Sequence, residues 1–345
     1  MKKNALSNFS NKKKVSILLV LVIATMFSLE LVMGLNKVSA VHNFSAQERK
    51  IYVLCAAEAG DSWVNKGEMR DAVVGYLKAL GLEHEVIESV DEWGALIEEA
   101  PEGIIVINCH GELIPIPTSY GGDYESFYKD LARLIKDRGW IFVQIVGFGS
   151  FLIGNTKTVG ASQVVDDSGA SVFFSALGLS YHQSGVPDLV NPWCDQRAEL
   201  SGSLGENVSK AVGISIPENV DAARALAIAV DQLPEHVKVL WYWYKVPEST
   251  KMWQGYPYLA VVALKIGKGM LVWGGLGGMS GAGYGKIAVL VTAYILNPKL
   301  ATMKVRLPLL TKRYIFVYSL VAVGAIFAAF GLVLLFKRSV PPESI

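Results

Sequence analysis

The sequence predicts an α/β fold, a doubly wound and mostly parallel sheet, in a domain held between two long apolar segments. Three observations carry this. Short continuous apolar runs, the pattern of strands buried on both faces, alternate with stretches of helical periodicity. Two late strands joined by a glycine-containing turn lead into a last helix. The composition is also too apolar for an ordinary soluble chain: of 345 residues, 52% are hydrophobic and 18% charged, with a mean hydropathy of +0.35.

Taken in order, residues 51–56 (IYVLCA) form a first buried strand. The helix at 68–80 (EMRDAVVGYLKAL) repeats apolar residues at helical spacing and stops at Gly81, where a C-terminal glycine belongs. A strand at 85–88, a helix at 91–100 and a strand at 103–108 (GIIVIN) complete a βαβαβ unit. A helix at 127–137 and a fourth strand at 139–146 (GWIFVQIV) follow, with a further helix at 170–177 inside a less regular insert. Residues 237–245 (VKVLWYWYK), 258–264 and 270–274 read as strands, and 285–296 as the closing helix. Strands alternating with helices imply parallel pairing.

The apolar segments account for the hydropathy. Residues 15–35 follow Lys2, Lys3, Lys12, Lys13 and Lys14 and precede Val38, Ser39 and Ala40, so 1–40 reads as a secretory signal peptide, or as a signal anchor if the small-residue site is not cut. Residues 314–336 hold no charge and are long enough, at about 1.5 Å per residue, to cross roughly 30 Å of hydrocarbon as a transmembrane helix. Lys337 and Arg338 open a short cytoplasmic tail at 337–345, which places the domain at 46–297 outside the cytoplasm. The linker at 298–313 carries Lys299, Lys304, Arg306, Lys312 and Arg313, an excess on the outer flank that suits contact with lipid headgroups.

The net charge of +1 gives no basic excess for nucleic acid, so that class of partner is excluded. The 3 cysteines show no CxxC and allow at most one internal bridge, which excludes a disulfide scaffold or a cysteine-rich zinc module. Asn43 and Asn207 stand in N-x-S sequons and are candidate glycosylation sites.

The order of strands and helices, the Gly139-Trp140 exit into the fourth strand and the late KIGKGMLVWGG hairpin before a helix resemble the class I glutamine amidotransferase-like superfamily, especially its ThuA-like branch, over 51–296. The resemblance implies a flavodoxin-like sheet with a pocket at the carboxyl ends of its strands. The chemistry of that superfamily needs a nucleophile elbow, usually G-x-C-x-G, because the tight turn lifts the thiol toward an oxyanion hole. Here Val146-Gly147-Phe148-Gly149-Ser150-Phe151 stands at that place, without cysteine, and no His-x-Glu pair follows. Glutaminase activity is therefore not expected.

One constellation keeps a catalytic reading open. Cys109 and His110, in Asn108-Cys109-His110-Gly111-Glu112, resemble the Cys-His-Gly of PfpI-like cysteine hydrolases, although Pro115 and Pro117 forbid the helix that follows the cysteine there. A thiol at a strand end becomes nucleophilic when an imidazole lowers its pKa. The alternative is that Cys109 is a small buried hydrophobe and His110 bonds to backbone.

In a flavodoxin-like order the first and third strands are neighbours at the switch point, so the loops at 57–66 and 109–120 face each other. They bring Glu58, Asp61, Trp63, Asn108, His110 and Glu112 to one place, a mix of polar groups and a flat aromatic that suits a carbohydrate. Glu58 and Asp61 also serve as plain helix caps or solvated carboxylates. Asp61, His110 and Glu112 lack any recognised ligand spacing, so no metal is expected. The glycine run at 274–286 departs from phosphate-loop spacing and reads as a flexible turn into the last helix; no cofactor is expected. Alternation along a strand puts Trp241 and Trp243 on one face and Tyr242 and Tyr244 on the other, one pair in the core and the other free for a partner or membrane surface. The loop around Asp188, Cys194, Asp195 and Arg197 shows no interpretable pattern. Together these readings give a membrane-tethered binding domain, an accessory subunit with a membrane-protein partner. The alternatives are a Cys109/His110 hydrolase and a carbohydrate-binding surface protein.

Overall fold

The computed structural model describes residues 49–302, apart from position 62 and the segments 147–151, 155–161, 165–167, 180, 183–188, 191–195, 223–225, 228–233 and 246–257. The segment expected to be a signal, Asn43, the segment at 314–336 expected to span a membrane and the expected tail lie outside the described residues. So do the turn at 147–151, Asp188, Cys194, Asp195, Trp253 and Tyr256. Among the described residues no helix is long and apolar enough to cross a membrane.

Strand β1 (Ile51–Leu54), helix α1 (Lys66–Ala79), β2 (Glu85–Ile87), α2 (Val90–Glu99), β3 (Ile105–Asn108), α3 (Tyr124–Arg138) and β4 (Ile141–Val146) alternate as expected. Next come β5 (Leu152–Gly154), β6 (Ser162–Val164), α4 (Ser168–Leu177), β7 (Tyr181–His182), β8 (Leu189–Val190), β9 (Gln196–Leu200) and α5 (Leu204–Val212). The chain continues through β10 (Asn219–Ala222), β11 (Leu226–Ala227), β12 (Val237–Lys245), β13 (Tyr258–Ile266) and β14 (Gly269–Leu276) to α6 (Gly281–Leu296). Helix starts are set by side chains that accept from backbone N–H groups: Asn65 for α1, Ser89 with Glu92 in a capping box for α2, Asp123 for α3 and Ser280 for α6. Each such cap contributes about 1 kcal/mol.

The sheet runs β10-β9-β12-β13-β14-β4-β3-β1-β2. Its parallel part, β2-β1-β3-β4-β14, has the 2-1-3-4-5 order of a flavodoxin-like fold, with the switch point between β1 and β3. Beyond β14 the sheet is prolonged antiparallel by β13, β12, β9 and β10. The sequence reading missed β9, α5 and β10: Gln196–Leu200 and Asn219–Ala222 do alternate apolar with polar residues, but over only five and four positions.

Alternate residues of the strands face opposite layers. Ile51, Val53 and Cys55 of the β1 segment, with Ile105, Ile107 and Cys109 of β3 and the loop after it, pack with α1, α5 and α6. Tyr52, Leu54, Val106 and Phe142 pack with α2, α3 and α4. Helices on both faces make the sheet doubly wound. Full burial of each of these apolar side chains is worth about 1.5–3 kcal/mol.

Two glycines permit backbone approach that no other residue would. A Cβ on Gly285 would lie 2.8 Å from Ala72 Cβ and 3.0 Å from the Met69 carbonyl oxygen, so α6 seats directly on α1. A Cβ on Gly274 would lie 1.7 Å from the Ile145 carbonyl oxygen, where the β14–β4 register shifts. The glycine run at 274–286 is therefore not one flexible turn: it ends β14 and opens α6. The aromatic run also departs from simple alternation. Trp243 and Tyr244 are both buried while Trp241 and Tyr242 are half-buried, and a bulge between Val239 and Trp241 shifts the register next to the exposed Leu240. The first part of the basic linker, Pro298–Thr302, is a 3₁₀ turn with Leu300 buried.

Candidate functional site

The carboxyl ends of β1 and β3 lie side by side, with Leu54 opposite Asn108. The loops that follow them are tied together: His110 Nδ1 hydrogen-bonds the Gly60 carbonyl oxygen at 2.6 Å. The Lys66 ammonium holds the first loop from inside, donating to the carbonyls of Ala56 (2.8 Å), Ala57 (3.0 Å) and Ala59. Asp61 accepts from the Lys66 backbone N–H at 2.9 Å, and Glu58 accepts from the Val90 N–H at 3.3 Å, so both carboxylates fix backbone at helix starts. At the rim stands Trp63, 71% exposed with φ of 60°, a left-handed backbone unusual for so bulky a residue. The loop braced by Lys66 thus presents an exposed indole on a backbone conformation that bulky residues rarely adopt.

The second loop is buried from Cys109 through Pro117, an arrangement that succeeds because side chains satisfy its backbone. Asn108 donates to the Leu113 carbonyl (2.8 Å) and to Gln144 Oε1 (2.7 Å) and accepts from the His110 N–H (3.1 Å). Gln144 donates onward to the Gly111 carbonyl, and the Trp93 indole donates to the Pro115 carbonyl at 3.0 Å. Both amide hydrogens of Asn108, read from sequence as a ligand contact, are thus engaged within the fold. Gln144, one strand away, was not legible as its partner from sequence spacing.

Cys109 is fully buried, and that burial pushes its thiol well above the ordinary cysteine value. His110 is also fully buried; desolvation lowers its imidazole to about 4 against the favourable bond to Gly60. The ring is neutral at pH 7, and its Nε2 has no hydrogen-bond partner among the described residues. A neutral imidazole beside a protonated thiol is a poor activating pair, since the nucleophile must be thiolate. Glu112 is buried as well and lies within electrostatic reach of Tyr284 on α6; Asp221 acts on the same phenol from β10, and burial with both carboxylates raises it. Among the described residues no group of three or more His, Cys, Asp or Glu is placed to hold a metal ion.

Asn207 lies within α5, half-buried, and its amide donates to the Ala301 carbonyl at 3.0 Å. That placement counts against a glycan in the folded protein, since attachment would break the bond and displace the turn at Pro298–Thr302. A cleft of about 400 Å³ that the sequence did not indicate opens between the turn at 215–217 and Met279, Ser280, Gly283 and Lys286 at the start of α6.

No family model matches the chain, and no curated protein matches it. Among solved structures, a ThuA-like protein from Bacteroides uniformis aligns with a TM-score of 0.38 and 12% identity, over 76% of this chain and 95% of that chain. The flavodoxin-like strand order rests on the register of the sheet itself.

Proposed function

We propose that the chain is a membrane-tethered domain outside the cytoplasm that works by binding, as an accessory subunit of a membrane or envelope complex. The supporting observation is the division of labour at the switch point. The groups with chemical potential, Cys109 and His110, are sealed in the core, whereas the loop beside them is braced by Lys66 and offers Trp63 to solvent. The tether rests on the apolar segment at 314–336 and the lysine-flanked segment at 15–35. In this reading Trp63 is the anchor of the contact, because exposed indoles contribute disproportionately to interfaces.

A second reading, a carbohydrate ligand on the same rim, is favoured by the flat indole beside Glu58 and Asp61, which offer hydrogen-bond acceptors. The hydrolase reading is disfavoured by the burial and raised thiol of Cys109. Gentle detergent extraction of the full-length protein, followed by size analysis and identification of co-purifying chains, tests the proposal. A partner in fixed stoichiometry supports it. Recovery as a lone monomer that is retained on a glycan matrix overturns it in favour of the second reading.

A further inference from the structure

The ends of β1 and β3 bring two thiols together. Leu54 is opposite Asn108 in the parallel register, and the Cys109 N–H continues the ladder to the Leu54 carbonyl at 3.0 Å. The next pair along is therefore Cys55 and Cys109. Both belong to the same buried cluster on the α1 and α6 face, so their Cβ atoms leave the sheet on one side. Neighbouring strands lie about 4.8 Å apart, within the roughly 4.4–6.8 Å between Cα atoms that a disulfide spans. The sulfurs are close enough for Cys55 to act electrostatically on Cys109.

We infer that Cys55 and Cys109 form a redox pair that closes a disulfide between β1 and β3 at the switch point. Closure joins the roots of the two loops that carry Trp63 and His110. The oxidant is a small or protein disulfide such as glutathione disulfide. Cys55, 6% exposed against 0% for Cys109, attacks as thiolate, releasing one glutathione thiolate and leaving a mixed disulfide. The Cys109 thiolate then attacks the Cys55 sulfur and releases the second glutathione. Two thiols are oxidised to one disulfide, one glutathione disulfide is reduced to two glutathiones, and the two thiol protons pass to the released thiolates. Burial pushes both protein thiols up, and a dithiol whose thiolates are not stabilised favours its disulfide form. That the pair meets such an oxidant rests on the location outside the cytoplasm proposed above; the geometry does not.

The test uses full-length protein in its native membranes, with thiols trapped by acid, alkylated in denaturant and digested for mass analysis. A parallel sample of extracted protein is first equilibrated with glutathione buffers from reducing to oxidising. The expected product in both is a linked peptide containing Cys55 and Cys109, with Cys194 alkylated, at more than tenfold excess over links to Cys194. Cys194→Ser keeps the link and Cys55→Ser removes it. Cys55 and Cys109 both alkylated in the most oxidising buffer, or linked instead to Cys194, overturns the inference. A link in the buffers with free thiols in the membranes supports the pair and overturns the location.

Discussion

His110 shows how one side chain joins two loops at a cost that depends on pH. Its imidazole titrates near 6.5 when unfolded and at about 4 when folded, because burial disfavours the cation more than the Gly60 bond favours it. The unfolded chain therefore binds the extra proton first as pH falls. The corresponding stability is fully present above about pH 6.5 and is lost as pH falls toward 4. The full effect is on the order of 3 kcal/mol. In His110→Asn, which keeps an N–H for the Gly60 carbonyl, denaturant midpoints are expected to lose this slope between pH 4 and 6.5; an unchanged slope would assign it to other groups. The presence of Cys109 and His110 at a strand end was legible in the sequence. A buried Cys109 with His110 bonded to backbone was one of the two readings open there; what was not legible is the network that permits it, Asn108 and Gln144 meeting across β3 and β4 to satisfy the loop that covers them.

Among the elements, the strands and helices of the parallel half were legible almost to their ends, because each couples an unbroken apolar run or a helical stripe to a clear cap or glycine stop. The antiparallel prolongation through β9 and β10 was not, since each strand offers only one or two apolar residues in alternation, Ala198 with Leu200 and Val220, too short a run to stand out from a loop. The loop at 57–65 depends on one cation. Replacing Lys66 by Met leaves the carbonyls of Ala56, Ala57 and Ala59 without that donor and is expected to cost about 2 kcal/mol. Hydrogen exchange in this loop should then quicken while β3 and β4 stay protected. The α1–α6 contact depends on Gly285. Gly285→Val forces branched carbon into the Met69 and Ala72 backbone and side chain and should lower stability by about 2 kcal/mol or more. A thermal midpoint equal to the parent would show that the helices seat differently.

For the whole molecule, the flavodoxin-like half places its switch point at the ends of β1 and β3, where the described loop Cys109–Pro117 is buried. What reaches solvent there is the Trp63 rim. Trp63→Ala removes a side chain that is 71% exposed and leaves the core residues in place, so the variant is expected to fold, yet it removes the anchor of the proposed contact. The most direct measurement is therefore the mass and composition of the gently extracted full-length protein, wild type beside Trp63→Ala. The expected result is a stoichiometric partner held by the wild type and lost from a still-folded variant. A wild type that emerges alone, or a variant that keeps the partner in full, would contradict binding through this rim.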